Sequence, residues 1–554
     1  MIKTLIGKFI FTFDKSNGSE FSHMENRLKI RSYLLYKSLS EDHINIMKQV
    51  LTVVLILFYS ICFSQETVKK PNIIVIFSDD HALQAISAYG SPHIKTPNID
   101  RIANEGAIFK NTFCTNSICG PSRAVLLTGK YNHLNGQYDN RTETRINTGQ
   151  PMFPKYLQEN GYETSWIGKW HINNHPQFFD YWKILPGQGL YYNPDFINMD
   201  SSRVRIDGYT TDIITDEALT WLDKGRDESK PFSLVIGHKA PHREWQPDIQ
   251  DLHAFDGKPF EVPANFFDDY NGRKAAEHQL MEVKDLRWDW DSKVNTKDVS
   301  YVKRMTATQK EAWDKYYETE NASLDTSKMS VKEIALWKYQ RYMHDYMACV
   351  VSLDRNIGRV LDYLDKTGLA ENTIVIYSSD QGFYLGEHGW YDKRFMYEQS
   401  LRMPFVMRYP KVIQPKTVVN EMVVNIDIAP TILSAAGVKV PSDMQGVSVL
   451  PLAKQPGKIK NWRKSMYYHY YEYPDPHRVM PHFGIRTERY KLIYFYGNGS
   501  SWEFYDLKHD PDEMNNGYNN QKNRILISQL KKDLLGLMLQ YEDKDAVAIL
   551  LKVN

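Results

Sequence analysis

Two short apolar runs, each ending in acid, constrain this chain more than any other feature of it. Asn72–Phe77 (NIIVIF) leads into Ser78-Asp79-Asp80-His81, and Thr373–Tyr377 (TIVIY) leads into Ser378-Ser379-Asp380-Gln381-Gly382. Apolar runs without alternation read as strands buried on both faces, which belong to parallel sheets covered by helices. Phe232–Gly237 (FSLVIG) is a third run of this kind. In an open α/β sheet, ligands bind beyond the carboxyl ends of the strands. Adjacent carboxylates there repel one another unless a cation neutralises them, so the two acidic ends predict a hard divalent metal. Either end alone favours a loop capping the next helix; two ends of one design favour the metal.

The rest of the chain supplies the covering layers. A helix is predicted over Asn98–Glu105, behind Thr96-Pro97, where proline suits a first turn. Val331–Lys366 reads as one long helix or two, and residues 254–330 as an irregular insertion with helices. Pro451–Lys460 reads as a linker. Beyond it, Ser465–Tyr471, Phe483–Arg486, Tyr490–Phe495 and Trp502–Asp506 read as strands of an antiparallel sheet, closed by an amphipathic helix over Asn523–Tyr541. The expected class is α/β: a catalytic domain over residues 71–450, then a small α+β domain over 461–554.

Charge and the N-terminus bound the setting. Lys+Arg total 68 against 67 Asp+Glu, a net charge of +1. That balance lacks the basic excess of a general nucleic-acid binder, so no nucleic-acid partner is expected. Aromatic residues make up 13%, which suits carbohydrate-facing grooves and aromatic cores alike. Met47-Lys48, the apolar run Val50–Phe63 and Ser64-Gln65-Glu66 form the pattern of a secretory signal, and the run is short for a membrane span. Residues 1–46 form an upstream segment without a structural pattern. The signal is expected over 47–64, with cleavage near Ser64 and export to the periplasm or medium, in preference to a lipid anchor at Cys62 or a membrane anchor. Of the four cysteines, Cys62 goes with the signal, leaving Cys114, Cys119 and Cys349. An odd number is no disulfide framework, so an exported chain has a cysteine to explain.

Cys119 stands in Cys119-Gly120-Pro121-Ser122-Arg123-Ala124, ahead of Leu127-Thr128-Gly129-Lys130. Pro121 sits where a helix can begin, which puts Cys119 at an anion-favouring helix N-terminus. Arg123, one turn in, can aim a guanidinium at the same place. A cysteine in this setting is a reactive thiol or a modified residue.

Cys-x-Pro-Ser-Arg followed by Thr-Gly-Lys resembles the signature of type I sulfatases, and the resemblance covers most of residues 71–510. It implies the fold of alkaline phosphatase: a central mixed sheet between helices, with a smaller C-terminal sheet domain. It implies that a formylglycine-generating maturation enzyme oxidises Cys119 to formylglycine, whose hydrated aldehyde attacks sulfur. Asp79 and Asp80 match the first metal pair and Asp380 and Gln381 the second, for one Ca2+. The second pair is commonly Asp-Asn; Gln381 keeps the amide oxygen on a longer stem. Gly168-Lys169-Trp170-His171 implies Lys169 on the sulfate and His171 near the formylglycine. Ala240-Pro241-His242 implies His242 facing the leaving group, with His238 as a nearby competitor. Lys393, ahead of Tyr397-Glu398, matches a lysine on the sulfate.

Within that family, an exported aromatic-rich chain suits a sulfated carbohydrate substrate. Two regions are candidate contacts: Asp180–Trp182 with Pro186–Tyr191, and Tyr467–Tyr471 through His477, Arg478 and His482. From these we take Trp182, Gln188, His477, Arg478 and His482; the second region also reads as a buried aromatic strand. Basic loop residues can bind a uronate carboxylate or a second sulfate. Residues 386–394 resemble bacterial glycan sulfatases, including N-acetylglucosamine-6-sulfatases, and algal polysaccharides such as ulvan are the expected substrates. The rivals are an N-acetylglucosamine-6-sulfatase-like enzyme on glycosaminoglycan fragments, a formylglycine-dependent phosphodiesterase or phosphonate monoester hydrolase, and a non-catalytic glycan-binding protein.

Overall fold

The computed structural model describes residues 69–553 except positions 142 and 498, together with a few positions between 31 and 54. Met1–Lys69 form one unit and Lys70–Asn554 another. In the first, positions 48–54 are helical, whereas Met47, Cys62, Ser64 and nearly all of the upstream segment lie outside the described residues.

The second unit is built on two sheets. Its strands are β1 (Asn72–Ser78), β2 (Ala107–Phe113), β3 (Glu163–Lys169), β4 (Tyr181–Leu185), β5 (Asp195–Asn198), β6 (Arg203–Arg205), β7 (Phe232–Gly237), β8 (Thr373–Ser379), β9 (Phe405–Arg408), β10 (Thr417–Val424), β11 (Ser465–Tyr470), β12 (His482–Thr487), β13 (Tyr490–Phe495) and β14 (Ser501–Asp506). The first ten form one sheet in the order β10-β2-β9-β8-β1-β7-β3-β4-β5-β6; the last four form an antiparallel sheet in sequence order. The large sheet is mixed: β8, β1, β7, β3 and β4 run parallel, and β9, β5 and β6 pair antiparallel. The expected α/β architecture, with a small antiparallel sheet after it, is what the chain adopts.

Strand β1 shows why the sheet forms. All of its residues are buried, and they alternate between two cores. Ile73, Val75 and Phe77 join one, and Ile74 and Ile76 the other, as the two-residue period of a strand requires. Burying each such side chain contributes about 1.5–3 kcal/mol. The principal helices are α1 (Pro97–Glu105), α2 (Cys119–Thr128), α3 (Thr210–Thr220), α4 (Ala307–Asn321), α5 (Val331–Lys366), α6 (Arg524–Gln540) and α7 (Lys544–Val553). The Val331–Lys366 segment is a single helix of 36 residues, started by a capping box between Ser330 and Glu333. The small sheet contributes Tyr467, Phe483 and Ile493 to the same core as Ile73, Val75 and Phe77.

Some expectations shift. The insertion over 254–330 holds the capped helix α4. The expected linker begins within a short helix, Leu450–Lys454. The terminal helix α7 and the strands β2–β6, β9 and β10 lie outside the elements the sequence predicts.

Candidate active site

The parallel strands deliver the acids together. Ser78 of β1 lies beside Ser379 of β8, so Asp79-Asp80 and Asp380-Gln381 emerge side by side. The Asp80 backbone N–H donates to Asp380 Oδ1 at 3.0 Å, and Gln381 Nε2 donates to Asp80 Oδ1. Strand β3 ends in Lys169, whose Nζ donates to Asp79. The preceding Gly168 has φ +102, and a Cβ there would stand 2.2 Å from the Gly237 carbonyl oxygen, so only glycine lets β3 end here. Beyond β7, His242 Nε2 lies 3.6 Å from Asp80 Oδ2. Its Nδ1 donates to the Arg243 carbonyl at 2.5 Å.

Helix α2 begins at Cys119 and aims it into the same space. The reactive atoms of Cys119, Asp79, Asp80 and His242 all lie within 4.8 Å of one another. Gly120 N–H donates to Asn140 Oδ1 at 3.1 Å. Arg123 Nη2 sits 3.3 Å from Asp380 Oδ2 and 3.7 Å from Asp79 Oδ1, while its Nη1 donates to the Lys169 carbonyl at 2.9 Å. Lys393 Nζ donates to Asp80 Oδ2 at 2.7 Å. Every one of these acids and cations is buried.

Burial in so charged a space displaces the proton equilibria. Burial pushes Asp79 up, but Lys169, His242 and Arg123 outweigh it and hold the carboxyl well below its usual range. Asp80 is raised to about 6, by burial and by Asp79 against the pull of Lys393. Burial and Asp79 push Asp380 well above its usual range. Burial and Lys169 push His242 and His171 down. Burial and Asp79 push the Cys119 thiol well up.

This donor set fits a hard divalent cation. Asp79 Oδ1 and Gln381 Oε1 are buried and accept no hydrogen bond among the described residues. Burial and the neighbouring carboxylates raise Asp80 and Asp380, as expected of acids crowded together away from water. Three carboxylates and an amide oxygen are oxygen ligands of the kind that such cations select.

Comparison with known proteins decides the family. Residues 71–438 match the family described as Sulfatase, and residues 386–540 match N-sulphoglucosamine sulphohydrolase, C-terminal. The chain belongs to the sulfatase family. It is therefore a sulfuric ester hydrolase, of a family that generally uses a formylglycine and a metal ion. An N-acetylglucosamine-6-O-sulfatase of Bacteroides thetaiotaomicron is 46% identical over 529 residues, covering 92% of this chain and 94% of that protein. An ulvan-active sulfatase of Formosa agariphila is 26% identical over 466 residues, covering 82% of this chain and 78% of that protein. A protein solved in complex with its substrate D-glucosamine-2-N,6-O-disulfate has a TM-score of 0.84 and 47% identity, covering 86% of this chain and 99% of that one.

In this sulfatase the structure brings Asp79, Asp80, Cys119, Arg123, Lys169, His242, Asp380, Gln381 and Lys393 together. The His171 carbonyl stands 3.0 Å from where a Cβ on Gly120 would lie, next to Cys119. His242, not its competitor His238, faces the acids; both ring nitrogens of His238 are buried without a hydrogen-bond partner among the described residues. Gln188 Oε1 accepts from Lys169 Nζ. His477 Nε2 lies 3.2 Å from Asp392 Oδ2, next to Lys393, and Arg478 is exposed beside it.

Two expected substrate contacts are instead structural. Trp182 is buried in the core and pairs with Trp166, upstream of the Lys169–Leu185 pair at the site's edge. His482 spends both ring nitrogens on the backbone: Nδ1 donates to Met480 O at 2.7 Å and Nε2 accepts from Met396 N at 3.1 Å. Its ring stacks on Tyr468 and Phe395. The aromatic stretch Tyr467–Tyr470 lies in the buried strand β11, the other reading of that segment, and its Tyr470 pairs with His482 of β12.

Sequence reasoning missed Asp392, Arg394, Glu472 and Asn140. Asp392 and Arg394 flank Lys393 with φ of 76° and 96°, a left-handed conformation that costs about 1–3 kcal/mol at each non-glycine residue. The charged run Asp392-Lys393-Arg394 is visible in the sequence, but nothing local announces its backbone.

Proposed function

We propose that this sulfatase removes sulfate from 6-O-sulfated glucosamine or N-acetylglucosamine residues of glycans, using a formylglycine made from Cys119 and a calcium ion. The observation that carries the substrate is the 46% identity with an N-acetylglucosamine-6-O-sulfatase over 92% of this chain. The 26% identity with an ulvan-active sulfatase makes ulvan the second reading.

Asp79, Asp80, Asp380 and Gln381 would hold the calcium ion, which supplies Lewis-acid neutralisation of the ester oxygens. Formylglycine supplies a nucleophilic hydroxyl that can later collapse back to the aldehyde and so release sulfate. The unmodified thiol is a poor substitute, because burial and Asp79 keep it protonated. Cys119 is fully buried, so its oxidation by the maturation enzyme belongs to the chain before it folds. With a cation held by Asp79 and Asp80, Lys169 and Lys393, which now pair with those carboxylates, would be free to turn to the sulfate and, with Arg123, to stabilise the charge of the transition state. The Arg243 carbonyl holds the proton of His242 on Nδ1, so Nε2 is the ring atom that faces the leaving alcohol and gives it a proton only once the ring is doubly protonated; Lys393, which Asp80 holds protonated, is the other donor. His171 Nδ1 is buried without a partner among the described residues and is placed to take a proton as sulfate leaves. Near Lys393, Asp392, Arg394 and His477 offer polar atoms to sugar hydroxyls. The signal pattern over residues 47–64 supports export to the periplasm or medium.

The test is sulfate release by the protein co-expressed with a formylglycine-generating enzyme, after mass spectrometry confirms the aldehyde at position 119. Release from N-acetylglucosamine-6-sulfate or glucosamine-2-N,6-O-disulfate is expected. Release from ulvan fragments alone would replace the substrate. Turnover of a phosphodiester without any sulfate ester would overturn the reading.

A further inference from the structure

Strand β11 presents Tyr468 and Tyr470 on one face, and Glu472, two residues on, continues that face beyond the strand end. All three touch Arg394. Tyr468 Oη donates to the Arg394 carbonyl at 2.6 Å. Arg394 Nη1 donates to Tyr470 Oη at 3.3 Å and pairs with Glu472 Oε2. Two of the three also reach the flanks of Cys119. Tyr468 Oη accepts from Ser117 N at 3.1 Å. Glu472 Oε1 accepts from Asn140 N at 3.2 Å, and Asn140 Oδ1 in turn accepts from Gly120 N at 3.1 Å.

One face of the small sheet thus holds the residue after Lys393 and, on both sides, the segment carrying Cys119. The Lys393 loop needs such a mount, because Asp392 and Arg394 have φ of 76° and 96° and strained backbone persists only where its surroundings over-determine it. Tyr468 is fully buried and Glu472 is 4% exposed, so water does not replace these bonds.

We propose that Tyr468 and Glu472 are positioning residues that set the distance between the Lys393 ammonium and the residue-119 nucleophile. Neither touches substrate; both act through Arg394 and through the residues beside Cys119. The proposal rests on the sulfatase chemistry assigned above to Lys393 and Cys119.

Tyr468→Phe removes one hydroxyl. Glu472→Gln keeps the acceptor for Asn140 N and removes the charge facing Arg394. Each is expected to lower kcat on the 6-sulfated sugar about tenfold, more than it raises KM through the Arg394 contact to the sugar, with the thermal midpoint held. The double variant is expected to lose less than the product of the single losses, because both act on one residue. Amide exchange over residues 392–396, which needs no substrate, is expected to rise in each variant. Unchanged kcat with unchanged exchange overturns the proposal. So does a kcat loss that appears only together with a lowered thermal midpoint, which would mark a structural role. If the unsubstituted protein, with its aldehyde confirmed, releases sulfate from no ester, the functional reading fails, and the exchange result alone still decides whether this face holds the loop.

Discussion

Lys393 Nζ meets Asp80 Oδ2 at 2.7 Å across 313 residues of chain. The contact ties the end of β1 to the strained loop after β8, in a site where every charge is withdrawn from water. It also balances the acids: Lys393 is the main force lowering Asp80 against burial.

Replacing Lys393 by Ala removes one of the three cations available to the sulfate. The expected outcome is a fall in kcat of about 10²–10³ on the 6-sulfated sugar, with a smaller change in KM, because the charge it stabilises grows in the transition state. Steady-state kinetics on protein with confirmed formylglycine check this. A loss confined to KM would place Lys393 in ground-state binding only.

Chelation of divalent cations should abolish activity and lower the thermal midpoint, and calcium should restore both. Bound at 100 times its Kd, a ligand stabilises the fold by about 2.7 kcal/mol. Gln381→Leu should weaken calcium binding about tenfold by titration calorimetry, since the buried Oε1 has no other partner among the described residues. Undiminished affinity would take Gln381 out of the ligand set.

Glu503 supplies a pH test away from the site. It is fully buried, its Oε2 accepts from Tyr397 and Tyr505 at 2.8 Å each, and burial raises its pKa from 4.5 to about 7. A carboxyl raised on folding binds its proton more tightly in the native state. Its stabilising effect is therefore full below about 4.5 and lost as pH climbs to about 7. Glu503→Gln should gain up to about 3 kcal/mol relative to the parent at pH 8 and almost nothing at pH 4.5. Urea midpoints measured at both pH values decide it; equal gains at both would show that ionisation is not the cause.

His482→Phe should keep the ring stack and leave Met396 N–H unpaired. The expected cost is about 1–3 kcal/mol of stability, read as a lower thermal midpoint, with KM for the sugar unchanged at moderate temperature. A raised KM at an unchanged midpoint would return His482 to the substrate.

Much of the site was legible in the chain because its signals are local. The run NIIVIF and the acids after it are contiguous, so burial and carboxylate repulsion could be read together. The same holds for TIVIY with Asp380 and Gln381, and for Cys119-Gly120-Pro121-Ser122-Arg123, where helix start, thiol and guanidinium lie within about one turn. His482 and Trp182 misled for the converse reason. Their residue types suit sugar contacts, but whether a ring faces a cleft or a core depends on neighbours far along the chain.

By itself the sequence determined the α/β class, the acidic strand ends, the Cys119 motif and the family, because periodicity, turn chemistry and motif spacing are properties of adjacent residues. Only the tertiary structure decided that His242 and not His238 faces Asp80, that Lys393 stands on a strained backbone, and that Tyr468 and Glu472 grip Arg394. Those facts depend on strand register and on the docking of the small sheet. Both are set by the summed burial of residues hundreds of positions apart, and no local pattern records that sum.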